Sequence, residues 1–214
     1  MSSREARAVQ SRATPAEIAD ASRLLEGLKG RERGVSNELR DLLDLARESI
    51  VIESPYLVPA RAFREGLRRT LALGVHVRIL TNSLAATDNL WPQAGYVGHG
   101  KELVRGSVEL WEYVGPECLH AKAVVIDGET VVVGPYNLDP RSERLNTELA
   151  LVARDPSRAA ETRRTFDGHL VRATKIDARG FPEGADAPYL GTPRTEVLTL
   201  RLLRLLAPFI EKQL

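Results

Sequence analysis

The chain has 214 residues, of which 43% are hydrophobic and 28% charged, so it is long enough to bury a sizeable core as one domain. Its formal net charge of +1 creates no strong positive electrostatic field that would attract a polyanion, which argues against a dedicated nucleic-acid binder. A single cysteine, Cys118, excludes an internal disulfide and fits a reducing, cytoplasmic compartment.

Membrane-spanning and secretory signals are absent from the sequence. No apolar run reaches the roughly 18 residues of a spanning helix, and the stretch from Met1 to Glu5 lacks the apolar core of a signal peptide. We therefore expect a cytoplasmic protein whose contact with lipid, if it has one, is peripheral and at the inner membrane.

The polar residues 1–35 are predicted to form a linker or tail, and residues 36–214 a single lobe. Within the tail, Thr14 and Pro15 favour the start of one helix over 16–28.

The first half of the lobe alternates between helical and strand patterns. Apolar spacing predicts helices over 36–47 and from Phe63 to Gly74, each followed by a buried strand, over 50–52 and 75–79. A strand, a helix and a strand of these lengths predict a parallel pair with a right-handed crossover.

The second half continues in the same way, and its last helix is expected to cover the sheet. The predicted helices are 94–105, 156–171 and 197–206, the predicted strands are 107–113, 130–133 and 147–154 with the motif strand before 130, and 177–192 is a predicted loop.

The residues with the clearest chemistry lie on the strand predicted around 124–126. His120 and Lys122 stand two residues apart, so on a strand they would project side by side. Asp127 and Gly128 predict a turn, and Asn137 follows the next strand at the start of a loop. An imidazole, an ammonium and a carboxamide facing one point would suit a phosphoryl group that the imidazole attacks.

The spacing His-x-Lys, four residues, Asp, six residues, Gly-x-x-Asn resembles the HKD signature of the phospholipase D superfamily. Other stretches are similar to bacterial cardiolipin synthases, in particular to the C-terminal lobe of those two-lobe enzymes, and the resemblance runs from about Asn37 to the C-terminus. These stretches are 54–59, 80–88, 137–142 and 145–148.

The resemblance implies an α/β/α layered phospholipase D-type lobe with a mixed, largely parallel sheet. It also implies a phosphatidyltransferase or phosphodiesterase in which His120 forms a phosphohistidine and a second histidine, from another lobe, protonates the leaving group. Lys122 and Asn137 would bind the non-bridging phosphate oxygens, and Glu148 would hold the other ring nitrogen of His120.

Five further residues are candidates for the site. Asp127 belongs to the motif and is kept with the catalytic residues, although its place at the strand end predicts a structural role. Ser54, Tyr56, Thr81 and Asn82 lie on predicted loops, where entrance-lining substrate contacts and ordinary turn chemistry are both open. No metal or other cofactor is expected, because no cluster has ligand spacing.

Two departures from the family pattern leave the function open. The complete motif occurs once, so a full site would need a second HKD lobe, supplied by homodimerisation or by a separate N-terminal half. Pro135 stands where the family usually has a small hydroxyl residue. The leading substrate is a phospholipid of the phosphatidylglycerol class; the alternatives are a homodimeric phosphodiesterase acting on nucleic acid and a catalytically incomplete fragment.

Overall fold

A computed structural model of the chain describes residues 35–144, 150–185, 192 and 194–210. The predicted tail and its helix therefore lie outside the described residues, apart from Val35. The elements in chain order are α1 (Val35–Asp44), β1 (Ser49–Glu53), α2 (Arg61–Ala72), β2 (His76–Asn82), α3 (Leu90–Arg105), β3 (Glu109–Tyr113), β4 (Ala123–Ile126), β5 (Thr130–Val133), α4 (Pro140–Arg144), β6 (Leu151–Arg154), α5 (Pro156–Leu170), β7 (Ala173–Lys175) and α6 (Arg194–Ile210).

The strands form one sheet in the order β6-β5-β4-β1-β2-β3-β7. Two neighbouring pairs are parallel and four are antiparallel. The sheet is mixed as expected, but the expectation that it is largely parallel is wrong. A parallel pair needs a crossover helix, and only α2 and α3 connect neighbouring parallel strands, whereas β4 and β5 form a hairpin.

Helices cover both faces of the sheet, which is the layered fold that was expected. On one face α1, α2 and α3 pack over Ile50 and Ile52, and on the other α5 packs over Val51 through Phe166. The parallel unit β1-α2-β2 is present as predicted. No helix among the described residues is long and apolar enough to cross a membrane.

The last helix, α6, does not cover the sheet, contrary to expectation. It packs on α3 through Leu200 and the partly buried Val197 and Leu203. Leu198 and Leu202, on its other side, are 60% and 58% exposed. Because α3 already occupies that face of the sheet, α6 forms an outer layer.

Two short elements were not predicted, and one predicted strand is shorter than expected. β7 has only Ala, Thr and Lys, which gives no apolar alternation, and α4 spans five residues. Of the strand predicted over 147–154, β6 begins at Leu151, and residues 147–149 lie outside the described part of the chain.

The strand that carries the motif begins later than predicted. β4 starts at Ala123, so His120 and Lys122 precede the strand. Glu53 pairs with Ala123, and beyond it the β1 chain continues into Pro55, which has no N–H to extend the ladder. The segment before β4 is therefore held by other contacts.

At the far end of β4, Asp127 closes the turn to β5 and clamps the start of β1. Asp127 and Gly128 have φ angles of 52° and 66°, and the Glu129 N–H donates to the Ile126 carbonyl at 3.0 Å. The Asp127 carboxylate accepts backbone N–H bonds at 2.8–2.9 Å from the three residues that lead into β1, Arg47, Glu48 and Ser49.

The Asp127 clamp predicts a pH-dependent stability. Desolvation raises the pKa of this carboxyl, but the backbone N–H donors outweigh it and the pKa lies below its ordinary value. A depressed pKa contributes stability above the unfolded pKa of about 3.9 and loses it as pH falls through the folded pKa. Asp127→Asn should lower the free energy of unfolding at pH 7 by roughly 1–2 kcal/mol, and the gap to wild type should narrow below pH 4.

Urea unfolding across pH would measure this difference. Asp167→Asn, at an exposed aspartate on α5, is the control and should change little. If Asp127→Asn lowered the free energy of unfolding by the same amount at pH 3 and pH 7, the proposed role of the Asp127 carboxylate would be contradicted.

Candidate active site

One edge of the sheet collects the motif residues because strands of opposite direction end or begin there. β1, β2, β3 and β5 end at this edge, while β4 and β6 begin at it. The loops that follow Glu53, Asn82, Tyr113 and Val133 therefore meet the segment that leads into Ala123. This edge is the carboxyl end of the parallel strands, where open α/β sheets place ligands.

Asn82 fixes the backbone immediately before His120. Its side chain is fully buried, its Oδ1 accepts the Leu119 N–H at 2.9 Å, and its Nδ2 donates to the Leu119 carbonyl at 2.9 Å. The same Nδ2 lies 3.2 Å from the Pro55 carbonyl. The amide thus replaces the missing strand neighbour and holds the motif segment at the end of β2.

His120 itself is exposed at this edge, and Lys122 lies beside it. The Lys122 Nζ donates to the His120 carbonyl at 3.0 Å. Lys122 also lines a cavity of about 30 Å³, together with Ser54, Gly134 and Tyr136. An accessible imidazole with a neighbouring ammonium is an arrangement that can receive a phosphoryl group.

Ser54 ties the Asn137 loop to the loop after β1. The Ser54 Oγ donates to the Tyr56 carbonyl at 2.7 Å and accepts the Leu138 N–H at 3.2 Å. Asn137 donates its own N–H to the Ser142 Oγ at 3.2 Å. Its Oδ1 is buried and has no hydrogen-bond partner among the described residues, so this oxygen could accept a hydrogen bond from a ligand.

The structure corrects the expected positions of three entrance residues. Ser54, Thr81 and Asn82 are 2%, 1% and 0% exposed, so they lie beneath the edge instead of lining an entrance. Their polar atoms bond to backbone, because buried donors and acceptors at a strand end need partners. Tyr56 alone of the four is part-exposed.

A pair that sequence reasoning missed stands next to His120. The Tyr56 hydroxyl donates to the Asp88 Oδ1 at 2.6 Å, and the Cys118 thiol also bonds this carboxylate. The Tyr56 bond lowers the pKa of Asp88 most; desolvation opposes it, and the Cys118 bond and the His120 charge lower it further. Desolvation and Asp88 together raise the pKa of Tyr56. The sequence feature that could have indicated this pair is the position of Asp88, at the end of the loop after β2.

Glu53 and His169 form a second unpredicted pair, on the face covered by α5. Glu53 is 4% exposed, and its Oε1 lies 2.6 Å from the His169 Nδ1. Burial raises the pKa of Glu53, while the charge and hydrogen bond of His169 oppose the increase. The pair ties α5 to the end of β1, behind the motif edge.

The remaining predicted site residues do not join this cluster. Asp127 lies at the opposite end of β4, on the order of 20 Å along the chain from His120, and its carboxylate is occupied by β1 backbone. Glu148 lies outside the described residues. A second His-x-Lys, at His99 and Lys101, lies within α3, where residues two apart do not share a face, and it lacks the rest of the motif.

The described residues form a cavity away from the motif but no cluster of metal-binding side chains. A cavity of about 480 Å³ lies at the opposite edge near His76 and Arg78, and no motif residue lines it. Among the described residues, no group of three or more His, Cys, Asp or Glu is placed to hold a metal ion.

The fold and the HKD edge define a phospholipase D-like domain. A family model described as "Cardiolipin synthase, PLD-like domain" matches residues 39–170, which is more than half of the chain. The chain belongs to this family.

Two curated relatives are cardiolipin synthases, and each aligns with this chain over part of its own length. Cardiolipin synthase C of Escherichia coli (strain K12) is 40% identical over 144 residues, which are 59% of this chain and 30% of that protein. Cardiolipin synthase A of Pseudomonas aeruginosa is 31% identical over 170 residues, 79% of this chain and 32% of that protein. The chain therefore spans about a third of the length of these relatives.

Solved structures share the fold at low sequence identity. Phosphatidylserine synthase from Haemophilus influenzae superposes with a TM-score of 0.66 at 17% identity, over 87% of this chain and 45% of that one. Nuc from Salmonella typhimurium, a phospholipase D family member, gives 0.60 at 19% identity, over 69% of this chain and 94% of that one.

The Asn82 clamp gives a testable prediction. Asn82→Ala removes the partner of the buried Leu119 N–H and leaves the Leu119 carbonyl only the Cys118 thiol, a weak donor at 3.4 Å, so it should lower the free energy of unfolding by about 2–4 kcal/mol. Denaturant unfolding measures the loss. Asn37→Ala, at a part-buried asparagine whose Oδ1 is bonded by Arg40, is the matched control and should cost far less. Equal losses in the two variants would refute the clamp.

Proposed function

We propose that this chain is one lobe of a phospholipase D-type phosphatidyltransferase or phosphodiesterase, similar to the C-terminal lobe of a cardiolipin synthase and acting on phospholipids of the phosphatidylglycerol class. The family match over residues 39–170 and the meeting of His120, Lys122 and the Asn137 loop at one sheet edge support it.

In the proposed first step, a ring nitrogen of His120 attacks phosphorus and forms a P–N bond. The P–O bond to one alcohol breaks, and a second imidazole, from another lobe, donates a proton to the departing oxygen. In the second step a lipid hydroxyl, or water, gives its proton to that imidazole, attacks phosphorus and breaks the P–N bond. A lipid hydroxyl gives phosphatidyl transfer, and water gives hydrolysis.

Lys122 and Asn137 are proposed to stabilise the non-bridging oxygens as negative charge develops. Lys122 already lies at the motif edge. For Asn137 the donor to these oxygens would be its Nδ2 amide, by resemblance to the family. Glu148 is proposed as the partner of the other His120 nitrogen, by resemblance. Asp127 has no part in these steps, because its carboxylate clamps β1.

A second HKD lobe is the proposed partner, because one motif supplies one of the two imidazoles. A second copy of this chain or a separate N-terminal half would supply the other. Peripheral contact with lipid is proposed as well, and the exposed Leu198 and Leu202 on either side of the exposed Arg201 on α6 are compatible with an anionic lipid surface.

A homodimeric phosphodiesterase acting on nucleic acid is the second candidate. The likeness to Nuc, matched over 94% of its chain, supports a family member built from one such lobe. The net charge of +1 argues against polyanion binding. Binding to DNA that weakens steeply with added salt would favour this candidate over the lipid enzyme.

A mixing experiment tests both the nucleophile and the need for two lobes. Vesicles of phosphatidylglycerol are incubated with wild type and His120→Ala in varied ratio, and released glycerol and the lipid product are measured by mass spectrometry. His120→Ala alone should show no turnover. If two copies build one site, an equal mixture of exchanging subunits should keep about a quarter of wild-type activity.

The control is His76→Ala, at an exposed histidine on the far edge, which should match wild type. Activity proportional to the wild-type fraction would show that one chain suffices. Measurable turnover that is equal in His120→Ala and wild type would end the enzymatic proposal.

Pro135 gives a separate prediction. It is exposed between β5 and Asn137, and as proline it offers neither a hydroxyl nor an N–H to the phosphate. Pro135→Ser should raise turnover several-fold if either group normally contacts substrate. Pro135→Ala restores only the N–H, so comparison of the two initial rates separates the groups. Equal rates for wild type and both variants would show that Pro135 is tolerated.

A further inference from the structure

Asp88 occupies a fixed position beside the motif, although its side chain is exposed. The loop from Ser83 to Asn89 is held by a bond from the Ser83 N–H to the Tyr113 carbonyl at 3.0 Å. At its other end the Thr87 Oγ1 accepts the Asn89 N–H at 3.3 Å, and Asn89 caps α3. Asp88 lies between Thr87 and Asn89, so its backbone has little freedom.

The carboxylate is oriented by donors and retains capacity for another. Tyr56 donates to Oδ1 at 2.6 Å, and the nearby Cys118 thiol and Asp88 N–H also favour the charged carboxylate. An ionised carboxylate accepts about four hydrogen bonds, so the Tyr56 donor does not saturate it. The same contacts, opposed by desolvation, favour the ionised form at neutral pH.

This negative charge stands next to the position of the proposed phosphoryl transfer. Tyr56, which holds Asp88, follows Ser54 on the loop after β1, and Ser54 bonds the Tyr56 carbonyl and lines the same cavity as Lys122. An anion beside a bound phosphate repels it, so the carboxylate is favourable only when the substrate brings a compensating donor. The alcohol attached to phosphorus is the part of the substrate that can carry such a donor.

We propose that the Asp88 carboxylate is a head-group subsite, which binds a hydroxyl or ammonium donor on the alcohol portion of the phosphodiester that His120 attacks. This inference rests on the proposed function and deepens it. The subsite selects phospholipids whose head group donates hydrogen bonds, such as glycerol or ethanolamine. It disfavours esters without donors, and polynucleotides, whose neighbouring phosphates the carboxylate repels.

Measuring the binding of short-chain lipids tests this inference without relying on catalytic turnover. Dihexanoyl phosphatidylglycerol, phosphatidylethanolamine and phosphatidylmethanol are titrated calorimetrically into the full chain carrying His120→Ala, which prevents turnover. The two lipids with donors should bind about tenfold or more tightly than the methyl ester, since hydrogen bonds to charged groups are strong. The tighter of the two identifies glycerol or ammonium as the preferred donor.

Adding Asp88→Ala should remove this preference, and Tyr56→Phe should reduce it, because Tyr56 orients the carboxylate. Asp167→Asn, far from the edge, is the control and should retain the preference. Absence of binding, absence of a preference, or a preference that survives Asp88→Ala would overturn the inference.

The two proposals fail in distinguishable ways. Turnover that depends on His120, with no head-group preference, overturns the Asp88 subsite alone. A head-group preference that Asp88→Ala removes, in a chain whose lipid turnover is the same with and without His120, overturns the enzymatic proposal alone.

Discussion

The antiparallel pairing of β4 with β1 is the constraint on which the rest of the site depends. It runs from Ile50 opposite Ile126 to Glu53 opposite Ala123, in the middle of the sheet. Because β1 and β4 run in opposite directions, the end of β1 and the entry to β4 share an edge, and His120 is delivered there. Asp127 secures the far end of the pairing through backbone N–H groups, so this motif residue affects the position of His120 only by fixing the strand that follows it.

Buried polar side chains then hold the loops that the sheet itself leaves unpaired. Asn82 gives Leu119 the two hydrogen bonds that a neighbouring strand would give, and Ser54 connects the loop after β1 to the loop of Asn137. Both residues were expected among substrate contacts. Their burial at the strand ends makes them scaffold instead, since an unpaired backbone group there is costly. The positions of the loops at the motif edge therefore depend on side chains that are buried beneath it.

In the proposed function, different polar groups at the motif edge would bind different parts of the substrate. Lys122 and Asn137 would face the phosphate, whereas the Tyr56–Asp88 pair would face the alcohol attached to it. One lobe supplies one motif imidazole, and the matched relatives are about three times as long as the matched region. The proposed partner lobe and the proposed Asp88 subsite would thus have different roles: the first would complete proton transfer, and the second would select the substrate.

The sequence by itself determined the family, the layered α/β fold, most helices and strands, and the identity of the motif, because these depend on local periodicity and on fixed spacing. It could not determine that the sheet is mostly antiparallel, that β4 begins only at Ala123, or that α6 lies on α3. Those features depend on which strands become neighbours and on which surfaces are already covered. The Tyr56–Asp88 and Glu53–His169 pairs, 32 and 116 residues apart in the chain, also required the tertiary structure, since only folding brings such distant side chains into contact.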